Sequence, residues 1–310
     1  MKHIIIKTIF SIVVFSTISI FNVEAQTGVK FLNLPTNANS LSKGDATIGS
    51  NANSFSYFSN SSAVAFSENR FAAGFSYGQW QPDYTDNTIM SFGAYYKLSN
   101  RFSLTAGYEN FSYNTDIVTY NDEGRQSDIL SPKESSFGIG IVYRASENLS
   151  FGINAKNISS DLSSENASAF AVDLSASYKL NNIQIGIAAT NLGGKIKYGN
   201  TEYDLPSAVK IGGMYSYKLG ENVLSANLEG DYWLNDSSMS YGIGGEFAYK
   251  DFLFLRAGYH LGDEDKTIPS YGSVGIGAKY NCINIDFAYI LAGSDSPLKN
   301  GLNISLGLSF

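Results

Sequence analysis

From Arg70 to Phe310 the chain alternates: one residue large and apolar, the next small or polar, in runs of about ten. Period two is the side-chain period of a β-strand, and no helical period of similar length competes with it. Fourteen such runs can be read, near 70–79, 87–98, 101–113, 134–144, 148–158, 168–180, 182–192, 207–219, 222–234, 238–250, 251–261, 270–280, 281–291 and 301–310. Their connections also alternate. One set is tight and rich in turn residues (97–102, 144–149, 179–184, 218–223, 249–252, 280–283), and the other is mostly longer and polar. An even number of antiparallel strands with short turns at one end and longer loops at the other predicts an all-β, transmembrane, antiparallel barrel of about fourteen strands.

The two faces of the runs say what surrounds them. Phe137, Ile139, Ile141 and Tyr143 oppose Ser136, Gly138 and Gly140; Ile283, Ile285, Phe287 and Tyr289 oppose Asn284, Asp286 and Ala288. A sheet face turned to bulk water would carry many more long charged side chains than this Ser- and Gly-rich one. The apolar face is therefore expected to meet outer-membrane lipids and the small-residue face a narrow lumen. The last run, LNISLGLSF, closes on Leu306, Leu308 and Phe310. A C-terminal aromatic on an alternating strand resembles the signal read by the barrel insertion machinery.

The first residues follow a different pattern. Lys2 and Lys7 precede an apolar stretch to Phe21, followed by Val23-Glu24-Ala25. This is the layout of a secretory signal peptide, residues 1–25, with cleavage expected between Ala25 and Gln26. No other apolar run approaches the eighteen residues a helical span needs. Residues 26–69 alternate poorly and are rich in Asn, Ser and Ala, yet they carry Phe31, Leu32, Leu34, Pro35, Phe55 and Phe58. Disordered leaders are poor in such residues, so an N-terminal plug or hatch folded inside the barrel of residues 70–310 is expected. Glycines at lumen parity, Gly74, Gly107, Gly138, Gly244 and Gly258 among them, agree with a second backbone lying close to the wall; bending of the wall is the alternative reason for them.

Composition narrows the chemistry. A net charge of −7 disfavours nucleic acid as a partner. One cysteine, Cys282, excludes an intramolecular disulfide and a multi-cysteine metal cluster. His260 follows the predicted cleavage site without an adjoining nucleophile motif, and Asp263-Glu264-Asp265 reads as a solvated loop. No catalytic residue, cofactor or metal is expected. Lumen-parity charges of both signs, including Arg144, Asp173, Lys210, Glu229, Asp231, Glu246, Arg256 and Asp286, are expected to pair with one another and with the plug, which disfavours an open porin.

The stretch FLNLPTNANSLSKGDATIGSNANSFSYFSNSSAVAF, residues 31–66, resembles the start of PorV/PorQ family outer-membrane proteins of Bacteroidota, which are related to the fourteen-stranded FadL fatty-acid transporter. Phe31, Leu32, Leu34 and Pro35 match the family's opening, and Leu41 and Gly44 its next step. Asn60-Ser61-Ser62-Ala63 stands where the family has an Asn-Pro-Ala turn, and the family's acidic pair is absent. The resemblance implies a non-enzymatic outer-membrane component linked to type IX secretion or to exported cargo at the cell surface. The alternative it leaves open is a FadL-like transporter with a hydrophobic small-molecule ligand.

Overall fold

The computed structural model describes residues 27–310 apart from 84, 115–116, 121–125, 163–164 and 264–265. The predicted signal peptide, its cleavage site at Ala25 and Gln26, and Glu264 and Asp265 lie outside the described residues.

The first half of the sheet is built from β1 (Phe71–Trp80), β2 (Asn87–Lys97), β3 (Phe102–Ser112), β6 (Lys133–Arg144), β7 (Leu149–Asp161), β8 (Asn166–Leu180) and β9 (Ile183–Gly193). The second half holds β12 (Ala208–Leu219), β13 (Asn222–Trp233), β14 (Ser238–Tyr249), β15 (Leu253–Leu261), β16 (Tyr271–Tyr280), β17 (Ile283–Leu291) and β18 (Leu302–Ser309). These fourteen strands form one closed antiparallel barrel, sealed where β1 pairs with β18 from Ala72↔Ser309 to Gln79↔Leu302. Closure satisfies every wall strand on both edges, which a membrane-spanning sheet requires.

Each wall strand lies where the alternation places it, within a few residues at its ends. The tight turns work because Asn181, Gly220 and Asn281 take left-handed backbone angles (φ 51, 65 and 52) that asparagine and glycine adopt readily. The longer connections hold more structure than their polar sequences indicate. β4 (Ile117–Tyr120) with β5 (Gln126–Leu130), and β10 (Ile196–Tyr198) with β11 (Thr201–Tyr203), form two hairpins outside the barrel sheet. Three to five residues per strand are too few for a period to show.

The apolar face is the outer one: Ile139 is 62% exposed and Phe137 59%, whereas Ser136 and Val142 on the other face are buried. No helix among the described residues is long and apolar enough to cross a membrane. Among the described residues helical structure is confined to the chain before β1: a single turn α1 (Ala38–Leu41) and two 3-10 turns, Lys30–Asn33 and Ser61–Phe66.

Candidate functional site in the barrel lumen

The chain before β1 enters the barrel at its loop end. Thr27 bridges Asp204 in the connection before β12, and its hydroxyl donates to Asp236 Oδ1 (2.9 Å) in the β13–β14 connection. Val29 and Phe31 then bury themselves in an apolar cluster with Trp80, Ile89, Phe111, Tyr271, Ile290 and Leu298, all from the loop end of the wall or from its loops. Leu32 and Leu34 pack against the same cluster, and Pro35 is buried.

Beyond Pro35 the segment circles the inner wall. Asn37 caps α1 by accepting from Ser40 N (3.0 Å), and the Ala38 amide donates to Ser305 Oγ of β18 (2.8 Å). Thr47 and Ile48 both donate their amides to Glu229 Oε2 on β13, at 2.6 and 2.7 Å. Asn60 donates to Ser177 Oγ on β8 (2.9 Å) and to Ile48 O (2.6 Å), Gln184 on β9 to Ser50 O (2.5 Å), and Asn154 on β7 to Tyr57 O (3.1 Å). At the turn end Lys97 Nζ reaches Ser67 O (2.5 Å), four residues before β1 begins at Phe71. Backbone groups that would otherwise stand unpaired inside a barrel are thus satisfied by inward-facing wall side chains.

Such closeness needs a wall without side chains at the points of contact. Gly138, Gly107, Gly93, Gly74 and Gly307 lie opposite one another across β6, β3, β2, β1 and β18, a glycine belt over five adjacent strands. A methyl group on Gly107 would collide with the Tyr57 ring, one on Gly93 with the Ser54–Phe55 backbone, and one on Gly258 with the Lys43–Gly44 backbone. Gly140 and Gly307 differ: their nearest neighbours are Asn154 and Asn284, side chains of the wall itself.

Three ion-paired sets of charges face inward among the described residues. Lys156 pairs with Asp173 (3.0 Å); Lys210 lies between Asp231 (3.3 Å) and Glu229 (4.0 Å); Arg256 spans Glu246 and Asp286, both at 2.6 Å. Arg144 stands apart. It sits at the turn end, where its guanidinium donates to Ser146 O and Glu147 O and covers the Phe66 ring, so it forms no part of the inner ion pairs. Phe55 is buried at the wall, and Phe58 packs edge-on against Tyr57 (5.2 Å). Leu306, Leu308 and Phe310 all face outward.

Cavities remain beside the segment, and two of them share a border. One of about 60 Å³ lies at the centre, among Asn33, Asn37, Tyr57, Glu109 and Glu229. Another, of about 680 Å³, opens at the turn end between Lys43, Asn53, Gln184, Lys218 and Arg256. Asn37, Asn39, Asn51 and Asn53 border both. Polar lumen thus extends from the turn end to the centre, and the apolar cluster stands beyond it. Among the described residues no three His, Cys, Asp or Glu are placed to hold a metal ion. His260 is buried and stacks on Tyr271 (ring centroids 5.1 Å apart). Cys282 lies in the β16–β17 turn as a free thiol.

The sequence-family profile of the type IX secretion system protein PorV matches residues 22–234, more than half of the chain. The chain belongs to the PorV family. As a PorV-family barrel it is an outer-membrane protein associated with type IX secretion and with the lipids around it. Solved structures share its architecture at low identity. The toluene transporter TodX of Pseudomonas putida superposes with a TM-score of 0.64 at 14% identity, over 89% of this chain and 98% of that one. The monoaromatic hydrocarbon channel CymD gives 0.59 at 12%, over 90% and 98%, and a Pseudomonas aeruginosa FadL homologue 0.50 at 13%, over 89% and 96%. At these identities the likeness concerns the fold. No curated protein sequence matches significantly.

Proposed function

We propose that residues 26–69 are a fixed plug, and that this PorV-family barrel serves type IX secretion as a closed, non-catalytic component handling exported cargo at the cell surface. The observation that carries the reading is the clamp on Glu229: one wall carboxylate receives two consecutive plug amides while Lys210 and Asp231 stand beside it. Leaving a buried amide without a partner costs about 1–3 kcal/mol, so the two bonds hold the segment at a fixed point of the wall. In this reading residues 1–25 are removed on export, and Leu306, Leu308 and Phe310 present the strand that the insertion machinery reads.

Conductance tests the plug. In planar bilayers the intact barrel is expected to stay silent, and deletion of residues 27–69 to open a steady pore. A wide steady pore in the intact protein would overturn the reading. Secretion of type IX cargo by a strain lacking the gene tests the cellular role.

A FadL-like conduit is the second reading, favoured by one observation. The apolar cluster around Val29 and Phe31 sits at the loop end, where a hydrophobic solute would arrive from outside. Saturable uptake of an aromatic hydrocarbon by cells carrying the intact protein, absent without it, would establish that reading in place of the first.

A further inference from the structure

The segment before β1 takes one side of the turn end and leaves the other. Its 3-10 turn Ser61–Phe66 packs against β2, β3, β6, β7 and β8. Along β9 and β12 to β17 the cavity of about 680 Å³ stays open towards the short turns, which is the periplasmic end of such a barrel. That volume lies in the range of roughly 300–1,000 Å³ typical of small-molecule sites.

The charges around this vestibule are unevenly matched. Arg256 is held between Glu246 and Asp286, and Lys279 by Asp251 at 2.6 Å. Glu221 is taken by Lys250 (3.3 Å), which is not part of the lining. Among the described residues Lys43, Lys179 and Lys218 have no carboxylate within 4 Å, although all three border the cavity.

Two of these lysines meet at one place. Lys43 is only 5% exposed, and of its three N–H donors one goes to Ser50 Oγ (3.2 Å). Lys179 reaches Asn51 Oδ1, also at 3.2 Å. Their ammonium groups therefore stand over consecutive residues. Gln184 lies opposite Lys179 in the β8–β9 register and donates to Ser50 O, and its buried Oε1 has no hydrogen-bond donor. Lys218 stands nearer the mouth on β12.

A desolvated ammonium favours a counter-charge, and a buried acceptor favours a donor. An occupant with a negative group for Lys43 and Lys179, and a hydroxyl beside it for Gln184, satisfies all three together. Asn53, Asn69 and Ser225 extend the polar lining for further hydroxyls. A hydrocarbon would leave these groups unmet, and a metal cation would be repelled by the lysines.

We propose that the vestibule is a binding site for a small anionic sugar, a sugar phosphate or a sugar acid, entering from the periplasm, with Lys43 and Lys179 on its negative group and Gln184 on a hydroxyl. The site needs residues 37–69 where the structure places them and is independent of any part in secretion.

Calorimetry on the intact, detergent-purified barrel tests it, with glucose 6-phosphate, glucuronate, glucose and inorganic phosphate added singly. Saturable binding is expected from at least one of the two anionic sugars, and whichever binds identifies the negative group. Glucose and inorganic phosphate should each bind at least about tenfold more weakly, since each offers half of the contacts. Lys179→Gln should lower the affinity at least about tenfold, the loss of one charge-assisted hydrogen bond, whereas Lys133→Gln, exposed at the loop end of β6, should bind as before. In the unaltered protein the same sugar should slow acylation of Lys179 by a water-soluble amine reagent and leave Lys133 unaffected, which locates the ligand without any substitution. Binding of neither anionic sugar, equal binding of glucose or inorganic phosphate, unchanged affinity in Lys179→Gln, or an unprotected Lys179 would each overturn the proposal.

Discussion

Glu229 shows how much one residue holds. Its carboxylate receives Thr47 N and Ile48 N and lies near Lys210, so Glu229→Ala would orphan two amides and leave Lys210 to Asp231. Removing one partner of a buried ionic set costs about 3–5 kcal/mol. The expected outcome is a folded wall with a loosened segment: faster hydrogen exchange at Thr47 and Ile48, and new protease cleavage before residue 70. Unchanged exchange would show that the clamp does not hold the segment. Gly258→Leu should act by shape instead. Its new side chain meets the Lys43–Gly44 backbone, and overpacking costs about 1–3 kcal/mol. Gly194→Leu, with nothing within 4 Å of the added carbon, should leave the thermal midpoint where it was.

Elements differ in how plainly they could be read. The wall strands were legible because lipid outside and packed lumen inside impose opposite demands on alternate residues, as at Phe137 and Ser136. Parity puts Asp173, Lys210, Glu229, Asp231, Glu246, Arg256 and Asp286 at inward positions, where they form ion pairs, whereas Arg144, at a strand end, bonds to its own turn. Glycines such as Gly107 and Gly258 marked where something comes close, but not what. The Glu229 clamp was hidden because its partners are backbone amides, which every residue but proline carries. The strands also make the inside–outside assignment testable. Leu306→Arg places a charge on the lipid face of β18, costing roughly 2–4 kcal/mol near the bilayer midplane, and should lower the folded fraction on unboiled detergent gels. Asn100→Arg, exposed in a short turn, should not.

The molecule as a whole is a closed wall with residues 27–69 bonded along its inner face, and its stability should be shared between them. Unboiled and boiled samples should migrate differently in detergent gels, with β-rich circular dichroism before boiling; recovery from the periplasm without detergent would contradict a membrane barrel. The course of residues 27–67 within that wall also constrains biogenesis. The segment runs from Thr27 at the loop end to Ser67 at the turn end, bonded to strands around the ring, and leads straight into β1, whose free edge must meet β18 to seal the seam. Once the seam is zipped, the enclosed chain would have to be drawn lengthwise past Gly107 and Gly258, where Tyr57 and the Lys43–Gly44 backbone lie against the wall. The expected order of assembly is therefore a wrapping and not a threading, with the interior laid down first and the sheet closing over it last.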